Sequence, residues 1–389
     1  MLFVGIDVAK NKHDCCILSS TGEELSAFTF SNDRSGFDSL TTAISSFGEP
    51  ADAKIGLEST GHYSTNIANY LLQKRLCVKI FNPLQIQMMR KASTLRKTKT
   101  DKSDSKFLAS ILFSDSSKPY QLPVYPFSEL KTLTRNRHRL VKMRTKLKIS
   151  VSRMITILFP ELPGAVWSVN QKSIYALLSH FPTAKSIANA HLTKLTNILA
   201  DNSHGKYGRD KAIVIRNLAA ASIGLDSHAA GFEFQQTIRL IQNLQGEVDI
   251  LDGEIKSIMK EINSPILTIP GIGYTLGAII LSEIGNIENF DKHGKLLAFA
   301  GLEPSTYQSG NFTADKTPMV KRGSSYLRWG LLQAARLVAY RDETFRQYHF
   351  KKISEGKHYF VALSHVAKKL VRVIFQLLKT NMPFEPQLA

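Results

Sequence analysis

Two long, regular apolar seams narrow the fold more than any other feature of the chain. From Phe234 through Thr237, Ile241, Leu244, Val248, Leu251, Ile255 and Ile258 to Ile262, positions recur at alternating steps of three and four, and eight of the nine are apolar. Leu130, Leu133, Arg137, Leu140, Arg144, Leu147, Val151, Met154 and Leu158 repeat the pattern with seven of nine. Only a helix gathers such positions on one side, because steps of three and four bracket its 3.6-residue turn. At 1.5 Å per residue each seam would run roughly 43 Å. So narrow a stripe needs a helical partner, so the seams are expected to pair with each other or across a dimer, as a coiled coil or inside a bundle.

Before Pro126 the periods are different. LFVGIDVA at 2–9 is a short apolar run of the buried-strand type, His13 to Leu18 is a second, and Leu25 to Phe30 alternates as a third, with a turn at Thr21-Gly22. Phe37, Leu40 and Ile44 then recur at helical spacing. A strand at Lys54 to Glu58, a helix through Ile67, Tyr70 and Leu71, a strand at Cys77 to Phe81 and a helix from about Asp101 to Phe113 complete the region. A meander feeding alternating units predicts a mixed sheet with helices on its faces. The expected fold class is therefore α/β plus α. Residues 1–125 form the sheet domain, 126–263 the long-helix region with a mixed insert at 164–230, 264–345 a mostly helical last module, and 346–389 a basic tail.

Charge points to a partner. The chain of 389 residues carries 50 Lys and Arg against 32 Asp and Glu, a formal +18. Lys74 to Lys148 holds 19 basic and four acidic residues, a net of +15, whereas the other 314 positions hold 31 basic and 28 acidic, a net of +3. With 43% hydrophobic residues this is a folded protein, not a disordered polyelectrolyte, and so localised an excess suits a polyanion such as nucleic acid. Cys15, Cys16 and Cys77 have neither disulfide-framework nor zinc spacing. The apolar start meets Asp7 too early for a signal peptide, and no run approaches the ~20 apolar residues of a membrane span. A reduced, cytoplasmic protein is expected.

Four carboxylates stand out. Asp7 lies within an apolar strand, where a charge is costly unless paired or metal-bound. Glu58 ends the strand KIGLE, and Asp101 and Asp104 sit three apart, on one face of a helix. Neighbouring strands with the helix across their ends would gather all four into a cluster that repels itself without cations, and hard oxygen donors suit Mg²⁺ or Mn²⁺. A solvated ion-pair face around Lys97, Lys99 and Lys102 accounts for the Asp pair equally well, but not for +15 across the segment. Two further motifs follow. Ile269-Pro270-Gly271-Ile272-Gly273 reads as a hairpin between short helices whose backbone N–H groups suit a phosphate oxygen, or as an ordinary tight turn. The loop from Gly301 holds Ser309 beside Gly310 and leads to Lys321-Arg322-Gly323; on physical grounds alone Ser309 is a turn residue.

GIDVAK at 5–10, LESTGHY at 57–63, KTDKSDSKFLA at 99–109, IPGIG at 269–273 and GLEPSTYQSG…KRGSSYLRWGLLQAAR within 301–336 together resemble the IS110-family transposases, in order over nearly the whole chain. The resemblance implies a RuvC-like, RNase H-type first domain in which Asp7, Glu58, Asp101 and Asp104 match a DEDD quartet holding Mg²⁺ (or Mn²⁺). It implies an oligomerising coiled-coil middle and a last module with a helix-hairpin-helix element. Ser309, which directly precedes a glycine in its loop, matches a serine nucleophile that becomes joined to a DNA phosphate. By resemblance the partners are DNA, a structured non-coding guide RNA and further copies of the chain, with Lys97, Lys99, Lys102, Gly271, Gly273, Lys321 and Arg322 toward the nucleic acid. Two other readings compete: a RuvC-like junction nuclease using metal-activated water, and a non-catalytic nucleic-acid scaffold.

Overall fold

The computed structural model describes residues 1–59, 61–93, 101–117, 119–120, 125–305, 308–309, 312–313 and 317–386; for Asp101, Ser309, Phe312 and Thr313 it describes the backbone only. The chain divides into two units, Met1–Pro123 and Val124–Ala389.

The first unit is built on a five-stranded sheet. Strands β1 (Leu2–Val8), β2 (Lys12–Leu18) and β3 (Glu24–Ser31) form the expected antiparallel meander, and β4 (Ala53–Glu58) and β5 (Cys77–Phe81) add in parallel on the other side of β1. The spatial order is β3-β2-β1-β4-β5, which leaves β1 central. Helices α1 (Arg34–Phe47) and α2 (Tyr63–Gln73) supply Phe37, Leu40, Ile44, Ile67 and Leu71 to the core on one sheet face. Asp33 caps α1 by accepting from the Gly36 N–H at 2.8 Å. On the other face lie α3 (Pro83–Ser93) and α4 (Asp101–Ile111), whose Ile86, Leu108, Ala109 and Ile111 pack with Phe3, Cys16 and Phe81. The three cysteines are thiols. α3 departs from the expected order, in which the chain after β5 continued to a helix near Asp101. Its apolar stripe was too thin to read, with Ile86 its one buried residue.

The second unit is helical, and its spine is the two seams. Helix α5 (Phe127–Leu158) and a later helix at His228–Ile262 carry them, at 32 and 35 residues. Between them lie α6 (Leu162–Ala165), α7 (Lys172–His180), α8 (Ala184–Ala188), α9 (Leu192–Ser203) and α10 (Arg209–Ala220), so the second seam is α11. The seams pair with each other. Arg137 donates to both Asp252 oxygens at 2.7 and 2.9 Å, Arg144 donates to Gln245, and Arg153 lies 3.6 Å from Glu233. Numbers rising on α5 meet numbers falling on α11, so the helices are antiparallel. This also explains the two arginines that interrupt the α5 seam: each reaches a polar partner on α11 instead of apolar contact.

The spine holds a core at each end. Val151, Met154 and Leu158 pack with Phe234, Ile238 and Ile241 and with α7 to α10. At the other end Leu130, Ile255 and Met259 join α12 (Tyr274–Ile284), α13 (His293–Phe299), α14 (Ser325–Arg341), α15 (Glu343–Ser354) and α16 (Tyr359–Thr380), and the two-residue strands β6 (Gln308–Ser309) and β7 (Phe312–Thr313) lie between α13 and α14 in the chain. The basic tail contains α16, which drives Leu363, Val366, Leu370 and Ile374 into that core. No described helix is long and apolar enough to cross a membrane.

Candidate functional site: a carboxylate edge and a serine hairpin

The sheet register brings Asp7 and Glu58 to one edge. β1 and β4 run parallel with Ile6 opposite Leu57, so Asp7 and Glu58 are the next residues of neighbouring strands. Strand alternation gives Asp7 the face of Gly5 and Glu58 the face of Gly56. That face is the one α4 covers. A Cβ on Gly5 would stand 2.0 Å from the Ser105 carbonyl oxygen and 2.3 Å from the Ala109 nitrogen, so only glycine admits the helix backbone there. A Cβ on Gly56 would meet Phe81 at 3.0 Å and Leu112 at 3.3 Å. Phe3 stacks on Phe113 at 4.1 Å between centroids. Thus Phe3 faces Phe113 and Gly5 faces Ala109 and Ser105: the helix runs opposite to the strand. Its first turn, which carries Asp101 and Asp104, is directed to the edge where Asp7 and Glu58 end.

The four positions differ in setting. Asp7 and Glu58 are partly exposed, Asp104 is buried at 5% exposure, and the Asp101 side chain lies outside the described residues. Asp104 Oδ1 accepts from Arg90 Nη1 at 2.5 Å and from the Ser103 hydroxyl at 3.2 Å. Arg90 comes from the last turn of α3. Sequence reasoning missed it because it read Asn82-Pro83 only as a strand stop. The same dipeptide is a helix start: proline stands at the first helical position, and the Asn82 side chain accepts from the Leu84 N–H at 2.9 Å. An all-carboxylate donor set suits a hard cation such as Mg²⁺ or Mn²⁺. Among the described residues no three His, Cys, Asp or Glu side chains stand close enough to hold a metal ion.

The serine lies in the second unit. The stretch 301–323, expected as a loop, contains a small hairpin: Gln308 pairs with Thr313 and Ser309 with Phe312, and Pro304 bridges Met319. The Ser309 backbone therefore ends β6. Ser324 has a different task, capping α14 by accepting from the Leu327 N–H at 3.1 Å. Lys97 and Lys99 lie outside the described residues, and Lys102 is exposed on α4. Lys321 and Arg322 are exposed beside the α14 start, with the Lys321 carbonyl accepting from Arg328 at 3.0 Å.

The Gly271–Gly273 turn joins a 3₁₀ turn at Pro265–Thr268 to α12. Gly271 has φ +95° and sits against the backbone of α14, where a Cβ would come 3.0 Å from the Leu337 carbonyl carbon. Packing alone accounts for that glycine. Gly273 precedes α12 with open space around it.

A second buried carboxylate escaped the sequence reading. Glu283 of α12, 4% exposed, accepts from Arg135 Nε at 2.7 Å and Nη2 at 3.0 Å, and from the Ser324 hydroxyl at 2.8 Å. Burial is the strongest influence on this carboxyl and pushes its pKa up. The Arg135 hydrogen bonds, the Lys131 charge, the Ser324 hydroxyl and the Arg135 charge outweigh it and hold the group below the ordinary glutamate range. The network ties α5, α12 and the start of α14 together. Its one sequence signal was a lone Glu inside the apolar run IILSEIG.

A mixed five-stranded sheet with Asp7 and Glu58 at one edge is thus followed in the chain by a helical unit that holds the short β6–β7 hairpin. Residues 4–160 match a family model described as Transposase, of the IS110 DEDD type, and residues 263–349 match one described as Transposase IS116/IS110/IS902 family. The chain is 25% identical over 403 residues to the insertion element IS116 uncharacterized 44.8 kDa protein of Streptomyces clavuligerus, covering 99% of this chain and 96% of that one. It is 23% identical over 396 residues to the pilin gene-inverting protein of Moraxella lacunata, covering 99% and 98%. An 87-residue stretch, 22% of this chain and 24% of the relative, is 33% identical to the transposase for insertion sequence element IS1111A of Coxiella burnetii. The chain belongs to the IS110 family of transposases, and its activity is that of a DNA transposase or recombinase.

Proposed function

We propose that this protein cuts and rejoins DNA at the ends of an insertion sequence through a covalent serine–DNA intermediate, in the bacterial cytoplasm. Asp7, Glu58, Asp101 and Asp104 would hold Mg²⁺ or Mn²⁺, which when bound supplies charge stabilisation to the oxygens of a phosphodiester. The observation that carries this reading is the convergence of the β1 and β4 edge with the first turn of α4, enforced by the glycine contact at Gly5. The strand order, with an antiparallel meander and β4 and β5 parallel beyond β1, supports a RuvC-like fold for residues 1–125.

Ser309 is the nucleophile. Its Oγ–P bond forms as a backbone P–O bond breaks, and the serine proton passes to the departing hydroxyl. In the rejoining step a hydroxyl of the other strand attacks phosphorus, restores the phosphodiester and returns the proton to Ser309. No phosphate energy is lost, so no nucleotide cofactor is required. A serine hydroxyl is a poor nucleophile at neutral pH and needs activation by a base or a metal. Lys97, Lys99 and Lys102, which neighbour Asp101 in sequence, and Gly271, Gly273, Lys321 and Arg322 in the last module would contact the sugar–phosphate backbone. The residue 126–263 helices serve oligomerisation as a coiled coil, 264–345 with its helix-hairpin-helix carries the serine, and a structured RNA from the element's end directs the complex. These parts rest on family resemblance and the basic stretch.

The test is covalent capture. Protein incubated with labelled element-end DNA and denatured in detergent should yield a labelled adduct, which Ser309→Ala abolishes while DNA binding persists. An adduct that survives this change moves the nucleophile elsewhere. Cleavage that survives it without any adduct turns the reading to hydrolysis by metal-activated water.

A further inference from the structure

Helix α5 sorts its cations by side. Arg135, Arg137 and Arg144 face polar partners on α11 and α12, as described. Arg139, Lys142 and Lys146 are exposed and, among the described residues, make no ion pair; Arg139 bonds only to Asn136, at 2.7 Å. Their spacing of three and four continues from Arg135, so Arg139, Lys142 and Lys146 line one face over two helical turns, about 10 Å. They border an open cavity of about 710 Å³ whose wall beyond α5 is Tyr326 of α14. The wall is aromatic. His138 meets Tyr326 edge-on at 5.3 Å and Trp329 at 4.9 Å, and Arg135 lies 4.7 Å over the Tyr326 ring. Burial, then the charges of Lys142 and Arg137, lower the His138 pKa and favour the neutral ring, which packs as an aromatic surface against Tyr326 and Trp329. Trp329, 37% exposed, leaves part of its ring to solvent.

We propose that this groove binds a single nucleic-acid strand, its phosphates along Arg139, Lys142 and Lys146 and a base against the His138–Tyr326–Trp329 shelf. A cation ladder alone would serve any polyanion. The adjoining exposed ring selects a strand whose bases are unstacked, because paired bases keep their faces inside the duplex. Ten ångströms matches about three nucleotides at 3.4 Å per residue of one strand. The same contacts serve deoxyribose or ribose, since none of them addresses a 2′-hydroxyl. The groove is separate in residues from the quartet and Ser309, so it stands or falls apart from the cleavage chemistry.

The full-length protein is titrated in EDTA, which removes metal-dependent cutting, with labelled 20-nucleotide single-stranded DNA, the same RNA sequence, and the DNA duplex, across a salt series. For Arg139→Gln/Lys142→Gln/Lys146→Gln the slope of log affinity against log salt for single strands should fall by about 2, near 0.7 per lost contact. Trp329→Ala should weaken single-strand binding roughly 5- to 100-fold and duplex binding less than about 2-fold, with Trp329→Phe recovering most of it. Loss on DNA alone, RNA alone or both identifies the source of the strand and supports the site. An unchanged salt slope, an equal loss on duplex, or an equal loss in Lys142→Arg/Lys146→Arg, which keeps the charges, overturns it.

Discussion

Two buried carboxylates, each gripped by an arginine, mark the difference between the two units. Glu283 has both oxygens engaged by a bidentate guanidinium, with a serine hydroxyl added and no other acid in the network. Asp104 takes Arg90 and Ser103 through Oδ1, on the helix turn directed to Asp7 and Glu58. The first arrangement is electrically closed and joins three helices. The second lies on the helix turn at the sheet face that carries Asp7 and Glu58, where the proposed reading gives it a cation to hold. Burial alone does not separate a structural carboxylate from a chemical one; its neighbours do.

The largest expected effect tests that distinction directly. Asp104→Asn should lower cleavage of element-end DNA by about 10³-fold or more, the scale of removing several kcal/mol of charge stabilisation, while the thermal midpoint changes little. If stability collapses and cleavage per folded molecule does not, Asp104 is a second Glu283 and the comparison fails. Gly5→Ala keeps every charge but pushes a methyl into the α4 backbone. It should cost about 3 kcal/mol in denaturant unfolding of the first unit and reduce cleavage in the molecules that remain folded. Full stability in that variant would mean α4 does not depend on the glycine contact. Glu283→Gln should cost about 2 kcal/mol, the worth of a hydrogen-bonded charge pair. The folded pKa lies below the unfolded one, so this stability is present above the unfolded pKa, about 4.3, and is lost as pH falls through the folded value. Wild-type unfolding free energy should therefore drop more steeply than that of Glu283→Gln as pH falls below about 5. Parallel curves would remove the network's role.

Much of the architecture was legible because period and burial coincide. The 3–4 spacing of Phe234 to Ile262 is unambiguous since a strand would scatter those residues over both faces. LFVGIDVA and KIGLE read as strands because both are flanked by turns and too short for core helices. Asp7 drew notice because an acid inside an apolar strand is costly unless paired or metal-bound; its proposed role with Glu58, Asp101 and Asp104 awaits the Asp104→Asn test. What escaped were elements with weak stripes and partners far apart in sequence. α3 buries only Ile86 among its described residues, so it left no pattern, and Arg90 went unseen with it. Arg135 and Glu283 are 148 positions apart, and nothing local ties one to the other. The outward cations at 139, 142 and 146 were visible as charge but not as a face, because their neighbours at 135, 137 and 144 look identical until α11 and α12 claim them.

The sequence by itself determined where strands and long helices form and that one segment holds nearly all the excess charge. Those are consequences of spacing and composition, which act locally. Tertiary structure alone decided that the seams pair antiparallel within one chain, that Gly5 admits the α4 backbone so that its first turn lies toward the sheet edge, and which cations of α5 find polar partners and which face solvent. Each of these depends on distances between residues remote in the chain, and a charge acquires its role only when its neighbours in space are set.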